Sequence, residues 1–202
     1  MPHTFFYKLN SIKNKLANLL LMALLLISYG PLHAADSFAT IRDELIAMGK
    51  QDQAVRINFN MDDPKMREAM GETDRYNRKR LNEIIEEIGW PTTAKVGMDA
   101  SLGAFFIAQH AMDDRPLMDL AFTNIEAEFK AGKFPGKLYA MMYDRLKMFD
   151  GLPQKYGTQA QFIGSSCDIY KLEDPAKVEI YRTEVGLTEN LPTYKAKMCG
   201  NR

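Results

Sequence analysis

The stretch Ala100–Ala108, "ASLGAFFIA", contains no charged side chain, and a helix that is apolar all round is stable only in the interior of a protein. Ala100, Gly103, Ala104 and Ala108 are small, so neighbouring backbones can approach this segment closely. A helix from about Asp99 to Met112 is therefore predicted at the centre of the domain, with the other elements wrapped around it. It closes on Gln109 and His110.

The flanking segments read as amphipathic helices with recognisable ends. A first runs from Asp36 to about Asn58, with Ile41, Leu45, Ile46 and Met48 as its apolar positions. Asp63-Pro64 opens a second, in which Leu81, Ile84, Ile85 and Ile88 follow the helical period and Gly89 and Pro91 stop it. Lys79 and Glu83 lie four apart on its outer face. The Arg78-Lys79-Arg80 triplet is followed by Glu83, Glu86 and Glu87, so it reads as a solvated face and not as a basic patch. Asp114 and Pro116 open a helix carrying Leu117, Leu120, Ala121, Ile125 and Phe129 up to Gly132. Pro135 opens another, with Leu138, Met141, Met142, Leu146 and Phe149 facing the core.

After Gly151 the pattern changes. QFIGSSCDIYKLE predicts a hairpin turning at Gly164-Ser165-Ser166. A helix then starts at Asp174-Pro175 and closes at Gly186, and a last short helix or turn holds Leu191 to Met198. With no internal repeat, the expectation is a mainly α, single-domain helical bundle with a small β-hairpin near the C-terminal third.

The N-terminus predicts export. Lys8, Lys13 and Lys15 precede an apolar run from Leu16 to about Tyr29, and Leu32-His33-Ala34-Ala35 supplies a small-residue cleavage site. Residues 1–34 are expected to be a signal peptide and 35–202 the domain, located in the periplasm or outside the cell. No second apolar run follows, so the cleaved protein is not expected to be an integral membrane protein. Loss of those lysines lowers Lys+Arg from 26 to 23 against 26 Asp+Glu. A slightly acidic chain argues against nucleic acid as a partner. His3 and His33 go too, leaving His110 as the one histidine, which excludes sites built from several histidines. In an exported protein Cys167 and Cys199 most simply form a disulfide, tying the hairpin to the C-terminus.

Polar residues are informative where the period calls for apolar ones. Arg145 falls within the stripe of Leu138, Met142 and Phe149, whereas Asp144 falls well away from it. A charge on a core face needs partners, so Arg145 is either a structural strut or an anion binder. His110 closes the most buried helix, with Asp113 and Asp114 three and four residues on. Two readings stand: a general base oriented by Asp113 or Asp114, or a histidine that satisfies a buried carbonyl while Asp114 caps the next helix. Gln51, Asp52, Gln53 and Arg56 crowd the end of the first helix. No zinc spacing, phosphate loop or nucleophile elbow is present, and neither metal nor other cofactor is expected.

Several of these residues fall into an ordered series: Gln51-Asp52-Gln53 with Arg56, Gly89-Trp90-Pro91, Gln109-His110-Ala111 with Asp113, Asp144-Arg145, and Gln154 with Tyr156-Gly157-Thr158-Gln159. Asp74 with Asn77, and Arg182 with Gly186-Leu187, fit it as well. The series resembles a widespread bacterial family of uncharacterised proteins described as a domain of unknown function, over about residues 45 to 195. The resemblance implies a shared fold and a shared polar site, but no reaction. His110 and Asp113 are its candidate catalytic residues, and Arg145, Gln109, Gln154, Tyr156, Thr158, Gln159 and Arg56 its candidate substrate contacts. The functional expectation is a small exported hydrolase or transferase acting on a polar or anionic ligand. A periplasmic binding or inhibitor-type module facing a protein partner is the alternative, and a purely structural polar network a third reading.

Overall fold

The structure, a computed structural model, describes residues 38–164 and 166–200. The segment expected to be a signal peptide lies outside them. Residues 38–54 are helical (α1), and the chain divides into two compact units within this helix, between Asp43 and Glu44. The core, the hairpin and the polar cluster described below belong to the second unit. It continues with α2 (Pro64–Ile88), α3 (Thr93–Val96), α4 (Met98–His110), α5 (Arg115–Lys130), α6 (Gly136–Phe149), β1 (Ala160–Ile163), β2 (Ser166–Ile169), α7 (Val178–Glu184) and α8 (Leu191–Gly200). The protein is mainly α with one antiparallel hairpin, as the sequence predicts. Among the described residues no helix is long and apolar enough to cross a membrane.

Helix α4 is the central element. Ala100, Ser101, Gly103, Ala104, Phe105, Ile107, Ala108 and Gln109 are all buried. Its crossing with α1 is backbone against backbone. A β-carbon added at Gly103 would lie 2.3 Å from the Leu45 carbonyl oxygen, and one added at Gly49 would lie 2.6 Å from the Gly103 Cα. No residue larger than glycine fits at either point without moving a helix. Helix α2 is set against α1 by polar contacts. Arg80 grips Glu44 in a fork of 2.6 and 2.8 Å, Asn77 reaches the Met48 carbonyl at 3.4 Å, and Arg56 reaches Asp74 at 2.6 Å. Helices α5 and α6 pack through Phe122 and Phe129, both stacked on Tyr139.

Helix ends follow the sequence signals. The Asp63 side chain caps α2, Gly89 closes it with φ 69°, and the Asp114 side chain caps α5. Helix α3 was not predicted, because a tertiary contact holds it: the Glu128 carboxylate on α5 accepts from both the backbone N–H and the hydroxyl of Thr93. The hairpin turn is one residue tighter than expected, since Ser166 already pairs with Ile163. Helix α7 begins at Val178, later than Asp174-Pro175 suggests, because the Asp174 side chain first closes a turn on the Ala176 N–H. Cys167 on β2 and Cys199 on α8 are joined in a disulfide with Cα atoms 5.6 Å apart, so the hairpin is tied to the C-terminal helix.

Candidate functional site

The site starts from a departure in the apolar stripe of α1. Leu45 and Met48 are buried, and the next position on that face is Asp52, which is only 1% exposed. A buried carboxylate needs several donors, and it has them. His110 Nδ1 lies 3.0 and 3.2 Å from its two oxygens, Gln53 Nε2 donates at 2.8 Å, and Arg56 Nη1 lies at 3.1 Å. The close crossing at Gly49 and Gly103 brings Asp52 and His110 together, one about a turn beyond Gly49 and the other two turns beyond Gly103. With Nδ1–H donated to a carboxylate, the imidazole is held in the tautomer whose Nε2 carries the lone pair. Nε2 has no hydrogen-bond partner among the described residues, and the His110 side chain is 21% exposed.

Arg56 braces this dyad. Nη1 also donates to the Asp52 carbonyl at 2.6 Å, and Nη2 donates to Asp74 at 2.6 Å. Its fork is thus committed to two carboxylates. Arg145, on α6, is different. Nη1 donates to the Gln109 carbonyl at 2.7 Å and Nε to the Gln159 side-chain oxygen at 3.2 Å, both neutral acceptors. Burial lowers its pKa from the usual arginine range to about 10, and the nearby Arg56 cation presses the same way while the Tyr194 hydroxyl opposes it. Because Gln109 immediately precedes His110, this hydrogen bond anchors the second guanidinium next to the dyad.

The 154–159 loop supports the site from behind, and among its side chains Gln159 alone reaches the cluster, through Arg145. Asp144, fully buried, accepts from the backbone N–H groups of Lys155 (2.8 Å), Tyr156 (3.1 Å) and Thr158 (2.9 Å) and from the Thr158 hydroxyl (2.9 Å). Its pKa is raised by burial, with those hydrogen bonds opposing the rise. Helix α6 therefore buries two faces: the apolar stripe through Leu138, Met142 and Leu146, from which Phe149 departs by being exposed, and a second against the loop that folds back over it. Gly157, at φ 68°, makes the turn. On the loop's far side Arg182, with no exposed surface, donates Nη1 to the Tyr156 carbonyl at 2.9 Å.

Several expected roles change accordingly. Asp113 does not orient His110; it is exposed and paired with Arg78, so part of the supposedly solvated Arg78–Arg80 face is a clamp. Asp114 is occupied in capping α5. Gln154 is a strut, its amide donating to the Gln159 and Tyr170 carbonyls and accepting from the Gln159 N–H. Tyr156 is buried against Tyr139 and Tyr143, and Thr158 is held by Asp144. These side chains are taken up by bonds and contacts within the protein. His110, Arg145, Gln159, Arg56 and the Gln109 carbonyl do come together. The decisive residue missed in the sequence was Asp52, although its place on the Leu45–Met48 stripe was a signal for it. Among the described residues no group of three or more His, Cys, Asp or Glu side chains is arranged to hold a metal ion.

The molecule is thus a mainly helical domain in which an Asp–His dyad and a second guanidinium, without a carboxylate partner among the described residues, meet at the ends of α1 and α4 and on the C-terminal half of α6. The chain belongs to a family of unknown function (DUF6624), whose family model matches residues 39–196. Neither a curated protein nor a solved structure matches it.

Proposed function

We propose that this protein is a small exported hydrolase or transferase in which His110 Nε2 removes a proton from the attacking group. Asp52 orients the imidazole and stabilises the imidazolium that forms, as a carboxylate partner does in general base catalysis. Arg145 faces the polar or anionic part of the substrate, and Arg56 holds Asp52 in place. The observation that carries this reading is the Asp52–His110 pair, 3.0 Å apart, with a buried carboxylate behind and the outer nitrogen unengaged among the described residues. The basic n-region, apolar run and Ala34-Ala35 site support export, as does the disulfide, which persists in oxidising compartments.

The test is turnover by the purified protein against panels of phosphoesters, peptides and cell-wall fragments, comparing wild type with His110→Ala and Asp52→Asn. Both variants are expected to lose roughly a hundredfold or more in kcat, the range general acid–base catalysis supplies. Equal turnover in wild type and His110→Ala removes His110 from the mechanism.

A further inference from the structure

We propose that Arg145 is the seat for one carboxylate group, and that the ligands of this site are monoanionic carboxylic acids. The inference deepens the function proposed above and takes from it only the location of the site.

Two arginines in this protein show what a satisfied guanidinium looks like. Arg182 is wholly buried and every nitrogen is used: Nε and Nη2 donate to the Glu189 carbonyl at 3.1 and 2.7 Å, Nη1 donates to the Tyr156 carbonyl, and the Tyr194 ring lies 4.9 Å away. Arg56 divides its fork between Asp52 and Asp74. Arg145 fits neither pattern. Like those of Arg182, its Nε and Nη1 hold neutral oxygens, but its Nη2 has no acceptor among the described residues. A guanidinium drawn out of water without an anionic partner is costly, and here Arg56 nearby adds repulsion. The bonds to Gln109 and Gln159 fix the guanidinium plane and leave Nη2 to donate to a ligand oxygen, a charge-assisted bond that suits a carboxylate.

The number of charges points the same way. Around Arg56 two carboxylates already face one cation, so that end of the cluster is net negative. A group bound at Arg145 with a single charge is matched by that guanidinium. A second negative charge, as on a phosphate monoester, would have no guanidinium of its own, because Arg56 is already committed to Asp52 and Asp74. Because Arg145 is bonded to the residue before His110, a ligand anchored by its carboxylate presents its neighbouring atoms to Nε2.

Titration of isotope-labelled protein with propionate, methyl phosphate and neutral N-methylacetamide, followed through the His110 imidazole and Arg145 guanidinium NMR signals, tests this. Propionate should shift both sets of signals saturably. Methyl phosphate at pH 8, as a dianion, should bind about tenfold more weakly or worse, and N-methylacetamide should not bind. Arg145→Gln should abolish the propionate response, and Arg145→Lys should keep it in weakened form, which guards against a misfolded Gln variant. Methyl phosphate binding as tightly as propionate, a propionate response unchanged in Arg145→Gln, or no saturable shift in wild type overturns the proposal. The titration needs no turnover. Propionate seated at Arg145 in a protein without activity would sink the enzymatic reading alone, and turnover without propionate binding would sink this proposal alone.

Discussion

Replacing Gly103 by alanine tests how the dyad is assembled. The added β-carbon would stand 2.3 Å from the Leu45 carbonyl oxygen and 3.1 Å from its carbon, both backbone atoms that cannot swing aside. A comfortable C···O approach is about 3.3 Å, so α1 has to withdraw by about 1 Å. Alanine gains about 1 kcal/mol in helix propensity over glycine. Overpacking against backbone costs about 1–3 kcal/mol and sits here at the upper end. The expected net loss is about 1–2 kcal/mol, or a Tm lower by roughly 3–6 °C for a domain of this size. Asp52 rides on the helix that moves, and a 3.0 Å hydrogen bond stretched by about 1 Å is no longer one. Imidazole nitrogen spectra should therefore show His110 protonated on Nδ1 in wild type and as mixed tautomers in the variant. Gly71→Ala is the control, because a β-carbon there meets only the Arg75 guanidinium at 3.5 Å, and it should gain up to about 1 kcal/mol. If Gly103→Ala melts at or above wild type with an unchanged His110 tautomer, the reasoning about the crossing is wrong.

Asp144→Asn leaves one acceptor oxygen where the carboxylate now takes donors from Lys155, Tyr156 and Thr158, and should cost about 2–4 kcal/mol in denaturant titrations. Limited proteolysis should then cut within 154–159 first. Changing both Cys167 and Cys199 to serine releases a link spanning 32 residues and should cost about 3–4 kcal/mol, while dithiothreitol lowers the wild-type Tm and leaves the variant unmoved. Glu44 has its pKa lowered by the Arg80 hydrogen bonds, so its contribution is present above the ordinary glutamate value of 4.5 and is lost as pH falls through the depressed value. Glu44→Gln should be less stable than wild type by about 1 kcal/mol at pH 7. That gap should close in acid melts; a gap independent of pH would refute the assignment.

Legibility in the sequence followed the range of the interaction. Helix ends marked by Asp63, Asp114 and Gly89 were readable because a cap acts within three or four residues. The central place of α4 was readable because an uncharged segment has only one stable environment. Helix α3 was not, since its Thr93 end is satisfied by Glu128, which lies 35 residues away. The period of α6 places Asp144 off its apolar stripe, and the loop that buries this second face arrives only after the helix ends. The Gln154–Gln159 segment was recognised as a unit, but its polar side chains turned inward, because a buried turn has to satisfy its own backbone before it can serve a ligand.

What the sequence determined by itself is the longer helices and the hairpin, the ends marked by Asp63, Gly89 and Asp114, the burial of α4 and the pairing of the two cysteines. The tertiary structure decided which carboxylate His110 meets. Asp113, three residues away, was the local choice, and Asp52, 58 residues away, is the partner. Periodicity tells which face of a helix is buried, but not which helix it will face. Here that was settled by two glycines, Gly49 and Gly103, that let α1 and α4 touch and carry the acid to the imidazole.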